Sequence, residues 1–153
     1  MALHLRDQIM DALATLLTGL TTTGARVYVD QDADSEPLAD GQLPGLTIMQ
    51  RDESSEMVSL PQPRIFQRLL DIEIVAHVKL TTPTAARKQL NLIDKEVQTA
   101  IAGNLSLGGA CKHLTPQQVD FEFEGGGDKP MARARMRYQA LYLFAENAPD
   151  VAM

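Results

Sequence analysis

The sequence predicts an α+β domain, a mainly antiparallel sheet of about five strands with two helices packed on one face and a C-terminal β-hairpin. Three observations carry that reading. Within residues 64–80, Leu70, Ile72, Ile74, Ala76, Val78 and Leu80 alternate with Asp71, Glu73, Val75, His77 and Lys79, the period of two of a long strand with one apolar face. Residues 5–20 and 83–102 instead repeat apolar side chains every three or four positions, as amphipathic helices do. Near the end, two alternating stretches flank the turn-forming run GGGDKP, which predicts a hairpin.

A chain of 153 residues is one domain on length alone and can bury roughly 70% of its extended-chain surface. Hydrophobic residues at 44% and charged residues at 22% place it with globular rather than disordered chains. No apolar run approaches the roughly 18 residues of a membrane span. The opening MALHLRDQIMDAL interrupts its apolar pattern with charges, so it reads as a helix rather than a signal peptide. Cys111 is the one cysteine, which rules out an internal disulfide and suits a reducing compartment. The formal charge of −6 is concentrated: eight acidic residues and only Arg51 lie between positions 30 and 56. With the rest near neutral, the chain lacks the basic footprint that is the usual electrostatic route to nucleic acid.

The first helix, over residues 5–20, buries Leu5, Ile9, Leu13, Leu16, Leu17 and Leu20 and stops at Gly19 and the TTTG run. A short strand at 26–29 leads into an acidic loop, 30–44. Asp30, Asp32 and Asp34 stand at the spacing of the first ligands of a calcium loop. Ser35 then occupies the position of the turn glycine and Gly41 that of the bidentate glutamate, so a solvated loop is expected and no metal. Residues 46–50 read as a strand. Residues 51–63, RDESSEMVSLPQP, read as a second long polar loop carrying Arg51, Asp52 and Glu53; loops this long tend to be functional. Beyond the 64–80 spine, Thr81, Thr82 and Pro83 form a hydroxyl cap with proline in the first turn. The second helix buries Ala86, Leu90, Ile93, Val97 and Ile101 and ends at Gly103 and Asn104.

Residues 118–124 turn Val119, Phe121 and Phe123 inward and Asp120, Glu122 and Glu124 outward. Residues 131–145 place Ala132, Ala134, Met136, Tyr138, Ala140, Tyr142 and Phe144 on one face, with Arg133, Arg135 and Arg137 on the other. Closing the hairpin over the six-residue turn pairs Glu124 with Met131, Glu122 with Arg133 and Asp120 with Arg135. Opposite charges across such a pair contribute about 0.2–1 kcal/mol each and help fix register, which accounts for the arginine row without an anionic ligand.

No catalytic constellation stands out. His4, His77 and His113 are scattered, and Cys111 beside His113 lacks the second pair a tetrahedral metal site needs. Gly125, Gly126 and Gly127 join two antiparallel strands rather than a strand to a helix, so they do not form a phosphate cradle. Neither an enzyme nor a cofactor is expected.

The opening helix LRDQIMDALATLL, the spine RLLDIEIVAHVKL, the helix AARKQLNLIDKEVQTAI and the closing strand ARARMRYQALYLFAENAP follow one another in an order and with lengths that resemble the tail terminator family of long-tailed bacteriophages. That is the group of minor tail protein U of lambda-like phages. The resemblance implies a homo-oligomeric ring, a hexamer in the family pattern, on the head-proximal end of the tail tube. Such a ring would stop tube polymerisation and offer the head-joining surface. It implies as partners the tail tube protein and a head–tail connector protein, with DNA only as passing cargo, no membrane and no cofactor. It places the chain in the virion tail, and in the host cytoplasm during assembly. The acidic stretches, with Asp30, Asp32, Asp34, Arg51, Asp52 and Glu53, are then the candidate lumen or partner-contact loops, an acidic lining being one that repels DNA phosphates. Two alternatives stay open: a head–tail connector or tail-completion protein, and a small ligand-binding or enzymatic α+β domain. The second would need a polar cluster at the junction of spine and helix, where Leu80, Thr81, Thr82 and Pro83 offer only hydroxyls.

Overall fold

The computed structural model describes residues 3–35, 38–80, 82–124 and 131–153; the GGGDKP turn and Thr81 lie outside them. Helix α1 spans Leu5–Leu17, β1 Val27–Val29, β2 Gly45–Ser59, β3 Ile65–Lys79, α2 Pro83–Ala102, β4 His113–Glu124 and β5 Met131–Ala145. The strands form one sheet in the order β1-β2-β3-β5-β4, antiparallel except where β1 lies beside β2. The fold is α+β, as the periodicities predict.

The spine, β3, is the central strand, and both neighbours pair along almost its whole length. Its apolar side chains Leu70, Ile72, Ile74, Ala76 and Val78 meet Met136, Tyr138 and Ala140 of β5 and the stripes of both helices in one core. The α2 stripe is the predicted one, Ala86, Leu90, Ile93, Val97 and Ile101. Thr82 caps that helix, its side chain accepting from the Ala85 N–H, and Pro83 follows where a missing N–H costs nothing. Helix α1 stops at Leu17, three residues short of the expected end. Thr18 is already extended and Gly19 has φ +96°, a left-handed value that glycine adopts without steric cost.

Two boundaries are corrected. Residues 51–59 belong to β2 rather than to a loop, pairing with β3 from Glu53↔Leu70 to Ser59↔Ile65. A bulge between Gln50 and Glu53 sets Arg51 and Asp52 opposite Asp71 alone. Gln50 and Glu53 consequently share a face although they are three apart, and simple alternation fails there. Strand β4 likewise begins at His113, five residues earlier than expected, because a second bulge between Pro116 and Gln118 breaks its alternation. The predicted hairpin register stands: Glu124↔Met131, Glu122↔Arg133 and Asp120↔Arg135.

The parallel placement of β1 beside β2 dictates the path of the acidic loop. A parallel connection must return the chain to the starting end of the sheet. The described parts of that connection, residues 30–35 and 38–44, lie across the face the helices leave open, where Ala33 and Leu38 are buried against it. The expected solvated loop is in large part a strap.

Candidate functional site: a charged trough on the open face

Opposite the helices, β3 and β5 present Glu73, His77, Arg133 and Arg135, all buried. The strap is tied to them. The Arg133 guanidinium donates to the Ala33 carbonyl at 3.0 Å and reaches Asp34 at 3.4 Å. Arg135 sits at the centre, donating from Nε to Glu122 at 2.7 Å, from Nη1 to Glu73 at 3.0 Å and from Nη2 to Asp34. The hydrogen bond to Glu122 first, and then the charges of Glu122, Asp34 and Glu73, hold Arg135 firmly protonated above its ordinary range against the cost of burial. Arg51, from the β2 bulge, donates to the same Glu73 oxygen at 3.0 Å and lies 3.8 Å from Asp32. Asp32 in turn accepts from the Asp34 N–H at 2.9 Å. Bonds of this charge-assisted kind are about twice as strong as neutral ones and leave few lone pairs of a buried carboxylate unused.

Deeper under the strap, His77 is fully buried, its Nε2 3.0 Å from the Thr47 hydroxyl. Burial, and then the neighbouring Arg133 and Arg135, lower its pKa to about 4, so the ring is neutral at pH 7.

Beyond this lock the open face sinks into a trough of about 780 Å³ between the strap, the β2 bulge and β4. Asp71 accepts there from Gln139 at 3.2 Å and Asp120 from Gln118 at 2.8 Å, while Asp52 lies exposed on the rim. With Asp32, Asp34, Glu73 and Glu122, seven carboxylates line the trough against the guanidiniums of Arg51, Arg135 and Arg137. The trough is therefore net acidic; Arg51 and Arg135 are engaged with its acids, and Arg137 is exposed. Among the described residues, no group of three or more His, Cys, Asp or Glu side chains is arranged to hold a metal ion.

The sequence-predicted contact residues divide. Asp32, Asp34 and Arg51 converge in the lock. Glu53 lies on the opposite face, half-buried beside α1. There it accepts from the Tyr142 hydroxyl at 2.8 Å and pairs with Arg68 at 3.1 Å and Arg6 at 3.7 Å. Burial, with that hydrogen bond, pushes the Tyr142 hydroxyl up to about 12. Asp30 follows β1 at φ +62°, its N–H donating to the Ile48 carbonyl; it and Asp52 are exposed, as are Asp34 and Arg51 over much of their surface. Of the predicted cross-strand pairs, the Cα partners are as expected, but the Arg135 guanidinium bonds diagonally to Glu122 rather than to its partner Asp120, and reaches sideways to Glu73 and upward to Asp34. Glu73 was missed as a site residue. Its signal was its place in the spine opposite the arginine row, one strand over from the hairpin.

At the far end of the β2–β3 hairpin the character changes. Met57, Val58 and Leu60 are exposed there, and β1 covers the outer edge of β2 only at Leu46–Ile48. Among the described strands, none pairs with that edge over residues 51–59. The helix-side residues Phe121 and Phe123 of β4, expected inside, are about half exposed, at 46% and 52%; β4 is the other edge of the sheet.

No family model matches the sequence, and no curated protein matches it. Among solved structures, the chain is similar to one from the virion of a native gene transfer agent particle. The identity is 15% and the TM-score 0.38, over 92% of this chain and 93% of the other. A likeness at that level establishes neither a shared fold nor a shared function.

Proposed function

We propose that this chain is a structural protein of a phage-type particle, and more narrowly a tail terminator. Copies form a ring on the head-proximal end of the tail tube, halt addition of tube subunits and present a surface to the head–tail connector. The proposed role involves no reaction and no cofactor, and DNA only passes through the ring. The order of elements from which the resemblance arose supports it. The observation that carries it is the far end of the β2–β3 hairpin, where exposed Met57, Val58 and Leu60 adjoin a strand edge that has no neighbour among the described strands over residues 51–59. Open backbone donors and acceptors beside apolar side chains are what a protein partner covers, and in this reading the partner is the last ring of tube subunits. The upper face then differs from the lower, which is how a cap stops a polymer that each tube subunit would otherwise extend.

The test is to abolish expression in the phage or prophage that encodes the chain and to measure tail lengths by electron microscopy. Tubes well past their normal length are expected. Tails of normal length that fail to join heads would instead make it a connector, and intact infectious particles would overturn the reading.

A further inference from the structure

The solvent face of α2 and the trough on the opposite side of the sheet carry opposite charge, although α1, beside α2, exposes Asp7 and Asp11. On the helix side, the solvent face of α2 exposes Arg87, Lys88 and Lys95, with Leu92 between them. The two acids of that helix flank this surface: Glu96, which accepts from the Thr22 N–H at 2.9 Å, borders it beside Leu92 and Lys95, and Asp94 is half-buried beside Gln98. On the other side lies the acidic trough. A helix is a convex ridge about 10–12 Å across, and the trough is a concave floor where Asp52 is exposed and Asp71 and Asp120 are half-buried, the last two held by glutamine side chains rather than by guanidiniums.

We infer that the occupant of the trough is a second copy of this chain, which lays the basic face of its α2 into it. The contact joins the back of one copy to the front of the next. It is heterologous, with each copy using two different surfaces, and such contacts run on until they close into a ring or continue as a filament. Charge complementarity gives the contact its orientation, since a front-to-front or back-to-back arrangement sets like charges against each other. The carboxylates around the trough then do two jobs, Asp34 tying the strap to Arg135 and Asp52 and Asp120 meeting the neighbour. The trough is consequently a subunit interface, and the lumen lining belongs to another surface. This inference rests on the ring assembly proposed above and names its contact.

Charge exchange tests it on the purified protein by sedimentation velocity at low and high salt. The wild type is expected to self-associate, more weakly as salt rises. Lys88→Glu with Lys95→Glu, and separately Asp52→Lys with Asp120→Lys, should each weaken self-association about tenfold or more. A mixture of the two variants should associate one to one, alternating the native contact, made by the unchanged α2 of one variant with the unchanged trough of the other, with the reversed one, and the chain carrying all four changes should recover self-association. Thermal melting of each variant verifies that it is folded. A wild type that stays monomeric at every concentration and salt, a reversal without effect, or a fourfold variant that does not recover would each overturn the inference. Tail length is read separately: overlong tails in the knockout, together with failed charge exchange, would leave a terminator whose ring closes through another surface.

Discussion

The two faces of the sheet are held to their covers by different forces. On the helix side, the stripes of α1 and α2 meet the apolar side chains of β3 and β5, and no charge is buried at the centre. On the open side the cover is the strap, held by guanidinium–carboxylate contacts around Arg135 and Glu73. Apolar burial is non-directional and tolerates small shifts. A buried charge network depends on every partner, since removing one leaves another uncompensated in a poorly solvated place. The helix side should therefore degrade by degrees and the strap side by steps.

Arg135→Glu is the harshest way to break the contrast. It sets a carboxylate against Glu73, Glu122 and Asp34, and should cost about 4–5 kcal/mol or prevent folding; an unchanged melting temperature would show that the network contributes little. Ile74→Ala, on the helix side, should cost on the order of 3–4 kcal/mol through lost burial and the cavity left behind, measured by urea unfolding with an unchanged slope. A third test uses pH. Because His77 titrates near 4 when folded and near 6.5 when unfolded, the unfolded chain binds the extra proton first. Its contribution is fully present above about pH 6.5 and is lost as pH falls through 4, by about 3 kcal/mol in all. His77→Gln should flatten that part of the stability profile, and a parallel profile would assign the slope to other groups. The mildest change is Asp34→Asn, which keeps the shape of the strap anchor but removes its charge. Its carboxylate is largely exposed, so a loss of about 1 kcal/mol or less is expected, together with faster hydrogen exchange confined to the strap.

The helix side was legible because it is written in periods. The stripes at Ala86, Leu90, Ile93, Val97 and Ile101 and at Leu70, Ile72, Ile74, Ala76 and Val78 needed no knowledge of the fold. The hairpin register was legible for a similar reason, since charge alternation on residues 118–124 has one natural complement on residues 131–145. The open face was not legible. Asp34 lies about a hundred positions before Arg135, and their meeting depends on β1 being parallel to β2, which no local pattern encodes. Residues 51–59 were misread because one extra residue reverses the parity of the strand exactly where its composition turns polar, so neither hydrophobicity nor alternation marked it.

That extra residue has a consequence for how the gene can drift. Within the regularly paired run Leu46–Gln50 a one-codon deletion would rotate the side chains that follow to the wrong face, taking Glu53 from Tyr142 and Met57 from Phe66. At Arg51–Asp52 the same deletion would only remove the bulge and leave the downstream register intact, and at Val58, where the register shifts a second time, it would do likewise. Homologues that differ in length within this strand should therefore gain or lose their residue at one of these two spots.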